Sequence, residues 1–259
     1  MIFLHYKVFF QLLQRDLTLF ANHARDNYIN TLCWVILSLI VYQFIMPHLG
    51  CVYAGDFLLV NCVISKAFFG IMDGVSATVA DLDGDKKITY DMTLPISHTL
   101  LFIKIAISHA IHAFLLSLFI LPAGTLFLWN HLSFPYFCWY KFIIIMIISS
   151  IFSGFFSLFI IGITKSIMQI EDVWCGIIFP LFGLGGFQFT WKAMYQVSPI
   201  MSYINCLNPV MYMFEGMRAA TLNPTLSINF YTCCIALILF TIPAGYIGSY
   251  LLHRRLDTI

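Results

Sequence analysis

The chain has 259 residues, 61% of them hydrophobic and only 10% charged, against roughly a quarter charged in a soluble domain, which excludes a soluble protein. With 13 Lys+Arg against 12 Asp+Glu the net charge is +1, so the chain carries neither a nucleic-acid footprint nor a polybasic patch for anionic lipid. At about 20 residues per span the length allows six or seven membrane helices and no separate folded domain, and residues 1–259 read as one transmembrane domain.

Residues 1–27 alternate Lys7, Gln11, Gln14, Thr18, Asn22 and Arg25 with Tyr6, Phe9, Phe10, Leu13, Leu17 and Phe20 at helical spacing. This predicts an amphipathic helix in the membrane surface, because Arg15, Asp16, Arg25 and Asp26 would be costly in hydrocarbon. The segment lacks the basic stretch, short apolar run and small-residue site of a cleavable signal peptide. Six apolar segments follow, at 31–49, 57–80, 100–121, 142–163, 173–190 and 228–252, each long enough to cross. The fifth is the shortest, and its Pro180, Gly183, Gly185 and Gly186 suit close helix packing.

With the N-terminus inside, the inner side carries Lys7, Arg15, Arg25, Lys86, Lys87, Lys165, Arg254 and Arg255, and the outer side Lys141, Lys192 and Arg218. That asymmetry puts both termini in the cytoplasm, and Tyr28, Trp129, Tyr136, Trp139, Tyr140, Trp191 and Tyr195 fall at the span ends. The connection at 191–227 is long and still apolar, broken by Pro199, Pro209 and Pro224, and reads as an outer re-entrant segment between spans five and six. The expected fold is therefore an all-α integral membrane protein, with an N-terminal interfacial helix, six spans and one re-entrant segment.

The sharpest polar block is DLDGDKKITYD, residues 81–91. Asp81, Asp83 and Asp85 alternate as in a calcium loop, but Lys86 stands where its glycine is required and Met92 where its bidentate acid is required. A solvated surface for a cytoplasmic partner is the better reading. In the second span Lys66 and Asp73 share a helical face about 10 Å apart, which suits pairing with a neighbouring helix or contact with substrate. On the third span His109 and His112 lie three apart, a spacing that can serve a metal or haem or cross-helix hydrogen bonds. The eight cysteines form no C-x-x-C pair and read as small apolar residues; Cys51, Cys138 and Cys206 would face outward. No phosphate loop, H-E-x-x-H or G-x-S-x-G motif is present, so no catalytic residue and no metal ligand is assigned.

Residues 207–222, LNPVMYMFEGMRAATL, resemble the signature of the type-2 export permeases of ATP-binding-cassette (ABC) transporters: Asn208-Pro209, an apolar stretch, then Gly216 and Arg218. FPLFGLGGFQF at 179–189 is similar to the fifth-span motif, KSIMQIEDV at 165–173 to the inner loop before it, and KKITYDMTLPIS at 86–97 to the inner coupling segment. Lys86-Lys87 replace the usual Gly-Thr, and Tyr90 and Asp91 the usual acid and leucine.

The resemblance implies an inner-membrane, multi-pass permease exporting a lipid, lipid-linked glycan or hydrophobic drug-like molecule. It implies a second, identical permease chain and two copies of a cytoplasmic ABC ATPase that holds ATP and Mg, with no cofactor in this chain and membrane lipid as its surroundings. It places ATPase coupling in residues 81–97, on Asp85, Lys86, Lys87, Tyr90, Asp91, Thr93, Pro95 and Ser97, braced by the leading helix. It puts an outer gate at Asn208, Pro209, Glu215, Gly216 and Arg218, with Glu215 and Arg218 paired as a clamp. A substrate pathway would involve Lys66 and Asp73. The competing readings are an ion-coupled secondary transporter using Lys66 and Asp73, and an intramembrane metal or haem protein using His109 and His112.

Overall fold

The structure is a computed structural model; it describes residues 2–49, 55–84, 86–128, 132, 134 and 136–256, without the side chains of residues 2–4 and 49. Asp85, Cys51 and Trp129 lie outside the described residues. Among the described residues the regular secondary structure is all helical, with no strand. In chain order the helices are α1 (Ile2–Leu39), α2 (Gly55–Phe69), α3 (Ile71–Asp83), α4 (Lys87–Thr93), α5 (His98–Phe127) and α6 (Trp139–Ile163). They continue as α7 (Ile170–Val173), α8 (Phe179–Leu184), α9 (Trp191–Val197), α10 (Pro199–Asn205), α11 (Pro209–Thr221) and α12 (Phe230–Leu256).

Among the described residues, six stretches are long and apolar enough to cross a membrane: His5–His48, Gly55–Asp83, His98–Phe127, Trp139–Ile163, Ile167–Leu184 and Phe230–Leu256. The predicted N-terminal helix is present, but it does not stop before the first span. α1 runs unbroken to Leu39 and continues through a π-helical turn, Ile40–Ile45, and a 3-10 turn, Met46–Leu49. No proline or glycine interrupts it before Pro47, and at 1.5 Å per residue its 38 residues span about 57 Å.

Of the charges that argued for an interfacial position, Asp16 finds its partner on α5. Asp16 meets Lys104, Phe20 stacks on His112 and Tyr28 packs on Phe119, so α1 and α5 run side by side in the same direction. The remaining polar face of α1, with Asn22, Arg25 and Asp26, is exposed.

α6 is the axis of the bundle, in contact with α12, α5, α11, α3 and α2. In lipid the apolar effect does not distinguish protein from acyl chains, so helices associate through close packing and interhelical hydrogen bonds. The close packing is visible at two glycines: a Cβ on Gly154 would lie 2.3 Å from the Ala106 carbonyl of α5, and one on Gly248 of α12 2.5 Å from the Phe159 nitrogen of α6. An interhelical bond joins the same helices, because His109 on α5 lies 2.7 Å from Ser157 on α6. The Ser157 hydroxyl donates its proton to the Gly154 carbonyl, so it accepts from Nδ1 of His109.

The fifth span is shifted and irregular. It begins with a 3-10 turn, Ile167–Gln169, passes through a π-helical turn at Trp174–Ile178, and ends at Leu184 rather than near residue 190. The glycines behave differently from one another. Gly183 faces open space, a Cβ on Gly185 would press on Val210 of α11, and Gly186, with φ +94°, takes the left-handed turn that stops the helix. Close packing thus holds for Gly185 only, and chain reversal accounts for Gly186.

Candidate functional site

Two polar constructions stand at opposite ends of the bundle. At one end is α4, the short helix between the second and third spans. Lys86, at φ 53°, turns the chain; the Asp81 carboxylate then accepts hydrogen bonds from the Lys87 and Ile88 nitrogens at 3.1 and 2.9 Å. A carboxylate on the free N–H groups of a helix start satisfies orphan donors and complements the helix dipole. Asp83, nearby, accepts from the Ile167 nitrogen at 2.9 Å and meets Arg255 at 3.3 Å. The sequence assigned these acids to a calcium-like loop or an acidic surface; in the fold Asp81 caps a helix and Asp83 joins α3 to the start of span five and the end of α12.

Asp91 points inward and is 1% exposed. Its two oxygens accept from both terminal nitrogens of Arg15 on α1, at 2.9 and 2.7 Å. Lys104 on α5 lies 2.7 Å from Asp16 and 3.9 Å from Asp91. Two cations and two anions therefore close a quartet across α1, α4 and α5, each charge neutralised within the cluster. Such a bidentate guanidinium fixes geometry as well as charge. Of the other residues assigned to coupling, Lys86, Lys87, Tyr90, Thr93, Pro95 and Ser97 are exposed, and Ser97 caps α5 by accepting from the Leu100 nitrogen at 3.4 Å.

The quartet itself lines an open cavity of about 540 Å³, bounded by residues of α1, α3, α4 and α5 that also include Asp73, Lys87, His109 and His112. Asp73 opens onto it, whereas Lys66 is absent from its lining. The two share a span but not a helix, because the span is offset at Gly70 between α2 and α3. His109 is held by Ser157, and His112 is stacked on Phe20 with ring centroids 4.3 Å apart.

At the opposite end α11 carries the second construction, and every residue of it except Tyr212 is buried. Asn208 is its N-cap, accepting from the Val210 nitrogen at 3.0 Å while donating to the Leu181 carbonyl at 2.7 Å. Pro209 takes the first helical position, where its missing N–H is not needed. A Cβ on Gly216 would lie 2.6 Å from the Ile145 side chain of α6, so α11 approaches the bundle axis closely at this glycine.

Arg218, 2% exposed, pairs with Glu215 at 2.9 Å. It also donates to the Phe189 carbonyl at 3.0 Å, to the Gly186 carbonyl, and to Oδ1 of Asn61 at 3.1 Å, and it lies over the Phe57 ring at 4.6 Å. Glu215 in turn accepts from the nitrogens of Trp191 and Ile228 at 2.8 and 2.9 Å. The clamp thus ties α2, the turn after α8, and the starts of α9 and α12 to α11. Sequence reading missed Asn61, whose amide also donates to the Phe187 carbonyl at 2.8 Å. The available signal was one amide in the apolar run VNCVIS of the second span, where a polar side chain needs a partner.

A bundle of six apolar helices long enough to span, with a short helix ion-paired to two of them and a buried arginine clamp at the far end, defines a multi-pass helical membrane protein. The ABC-2 type transporter family matches residues 7–222, most of the chain, and the protein belongs to that family. It is therefore an ABC transporter permease. Comparison with curated proteins and with solved structures returned no match.

Proposed function

We propose that this chain is the membrane subunit of an ATP-driven exporter, moving a lipid, lipid-linked glycan or hydrophobic drug-like molecule outward across the inner membrane. It works with a second, identical permease chain and two copies of a separate ABC ATPase, which supplies ATP and Mg; the permease itself hydrolyses nothing. Both termini and α4 are cytoplasmic, and α11 is on the outer side, where α9 to α11 form the re-entrant segment and the Arg218–Glu215 clamp holds the outer gate. The observation that carries the reading is the Arg15–Asp91–Asp16–Lys104 quartet, at 2.7 to 3.9 Å. A short surface helix fixed rigidly to the first and third spans is what mechanical coupling requires: force on α4 moves whole helices rather than a loose loop. ATP-driven closure of the ATPase pair pushes α4, α1 and α5 follow, and the cavity beside Asp73 changes its access.

The test is to purify the tagged full chain in mild detergent and assay what co-purifies for vanadate-sensitive ATP hydrolysis. Reconstituted inside-out vesicles would then be assayed for ATP-dependent movement of a fluorescent phospholipid. A co-purified ABC ATPase supports the reading. A chain that purifies alone and moves the probe only under an ion gradient would overturn it in favour of ion-coupled transport through Asp73.

A further inference from the structure

The cavity lined by the quartet holds one carboxylate that the fold leaves without a counter-charge. The quartet accounts for two charges of each sign. Asp81 and Lys87 stand together at the start of α4, where the Asp81 carboxylate accepts from the Lys87 nitrogen. Asp73 remains: it is exposed and lines the cavity. Among the described residues it makes no hydrogen bond and no ion pair, and Lys66, seven residues back on the same span, does not line the cavity.

Depth makes the missing partner costly. α3 crosses α5 where Gly74 meets His109, a Cβ on Gly74 lying 2.6 Å from that ring. Asp73 therefore stands about 16 Å along α5 from its first residue, on a helix about 45 Å long that crosses roughly 30 Å of hydrocarbon. A carboxylate at that depth requires a cation. α1 and α3 both pack on α5 but not closely on each other, so the cavity is a cleft between them. Leu19 and Phe20 of α1, Ala77 of α3 and Ile105 of α5 give it an apolar wall, and its volume of about 540 Å³ is that of a small-molecule site.

We infer that this cleft binds a protonated amine carried on an apolar body, with the ammonium against the Asp73 carboxylate and the apolar part against Leu19, Phe20 and Ala77. An ammonium supplies the missing charge and donates charge-assisted hydrogen bonds to the carboxylate. A neutral molecule leaves Asp73 uncompensated, and an acidic one adds a like charge. Asp73 thus selects among lipid, glycan and drug-like molecules for those that carry an ammonium group, a chemistry shared by a free lipophilic amine and an ethanolamine headgroup. That the bound amine is cargo rests on the exporter reading; that it binds at Asp73 does not.

The test titrates the purified full chain, in its monodisperse fraction, with a dansyl-tagged octylamine bearing a free terminal ammonium and with the matching terminal alcohol. Wild type should bind the amine more tightly than the alcohol. Asp73→Asn should bind the amine on the order of tenfold more weakly and the alcohol unchanged, while Asp73→Glu keeps most of the amine affinity. Displacement of the probe by dodecylamine alone assigns a free amine; displacement by phosphatidylethanolamine and not by phosphatidylglycerol assigns the headgroup. Equal binding of amine and alcohol by wild type, or equal amine affinity in wild type and Asp73→Asn, would overturn the site. So would sodium displacing the probe better than the same concentration of potassium, which would make Asp73 an inorganic ion site. ATP-driven movement of phospholipid together with Asp73-independent amine binding removes the site and leaves the exporter reading. Asp73-dependent binding in a chain that carries no ATPase removes the exporter reading and leaves the site.

Discussion

Replacing Arg218 with methionine tests whether the clamp on α11 holds the outer end together. Methionine approximates the arginine stem but removes the guanidinium that serves Glu215, Asn61 and the carbonyls of Gly186 and Phe189. Glu215 is 0% exposed and would be left as a buried charge supported only by the Trp191 and Ile228 nitrogens. Removing one partner of a buried pair costs about 3–5 kcal/mol. With roughly 2–4 °C per kcal/mol for a chain of this size, the melting midpoint should fall by on the order of 10 °C. The assay is thermal unfolding in detergent, followed by size-exclusion fluorescence. Glu215→Gln in the same chain removes the stranded charge, so the double variant should recover about 1–3 kcal/mol of the loss. An Arg218→Met chain that melts within about 2 °C of wild type, or a double variant no better than the single one, would refute the argument.

Three further outcomes follow from named contacts. Arg15→Met should destabilise the folded chain by about 1–3 kcal/mol, since Arg15 is 35% exposed and only part of the buried-pair penalty applies. Adding Asp91→Asn removes the stranded carboxylate and should restore part of the loss in the same melting assay, and a double variant worse than Arg15→Met alone would deny that the pair acts as a unit. Asn208→Ala should cost about 0.5–2 kcal/mol through the lost cap on α11, read as a lower midpoint, whereas Asn208→Ser, which keeps a cap oxygen without adding a charge, should lose less. Gly248→Leu should force α12 off α6 at a cost of about 1–3 kcal/mol, visible as a loss of monodisperse protein; unchanged yield and midpoint would contradict the close approach.

The sequence by itself determined the class of architecture. A chain 61% hydrophobic with 10% charge must satisfy its backbone within helices once it enters lipid, and the lengths of its apolar runs count the spans. The Asn208-Pro209 pair before α11 and the three-residue spacing of Glu215 and Arg218 were also legible, because caps, prolines and ion pairs within one helix are local.

What lay beyond reach depends on partners distant in the chain. Whether Arg15 and Asp16 rest on the membrane surface or join the bundle depends on Asp91, 76 residues later, and on Lys104. Whether Asp83 greets a partner depends on Arg255, 172 residues away. Whether the Glu215–Arg218 clamp stays within α11 or gathers four other segments depends on partners distant in the chain, Asn61, the turn at Gly186 and the nitrogens of Trp191 and Ile228. In a bilayer, where apolar burial does not rank one helix arrangement above another, those long-range polar contacts and close glycine approaches select the packing, and only the tertiary structure decides them.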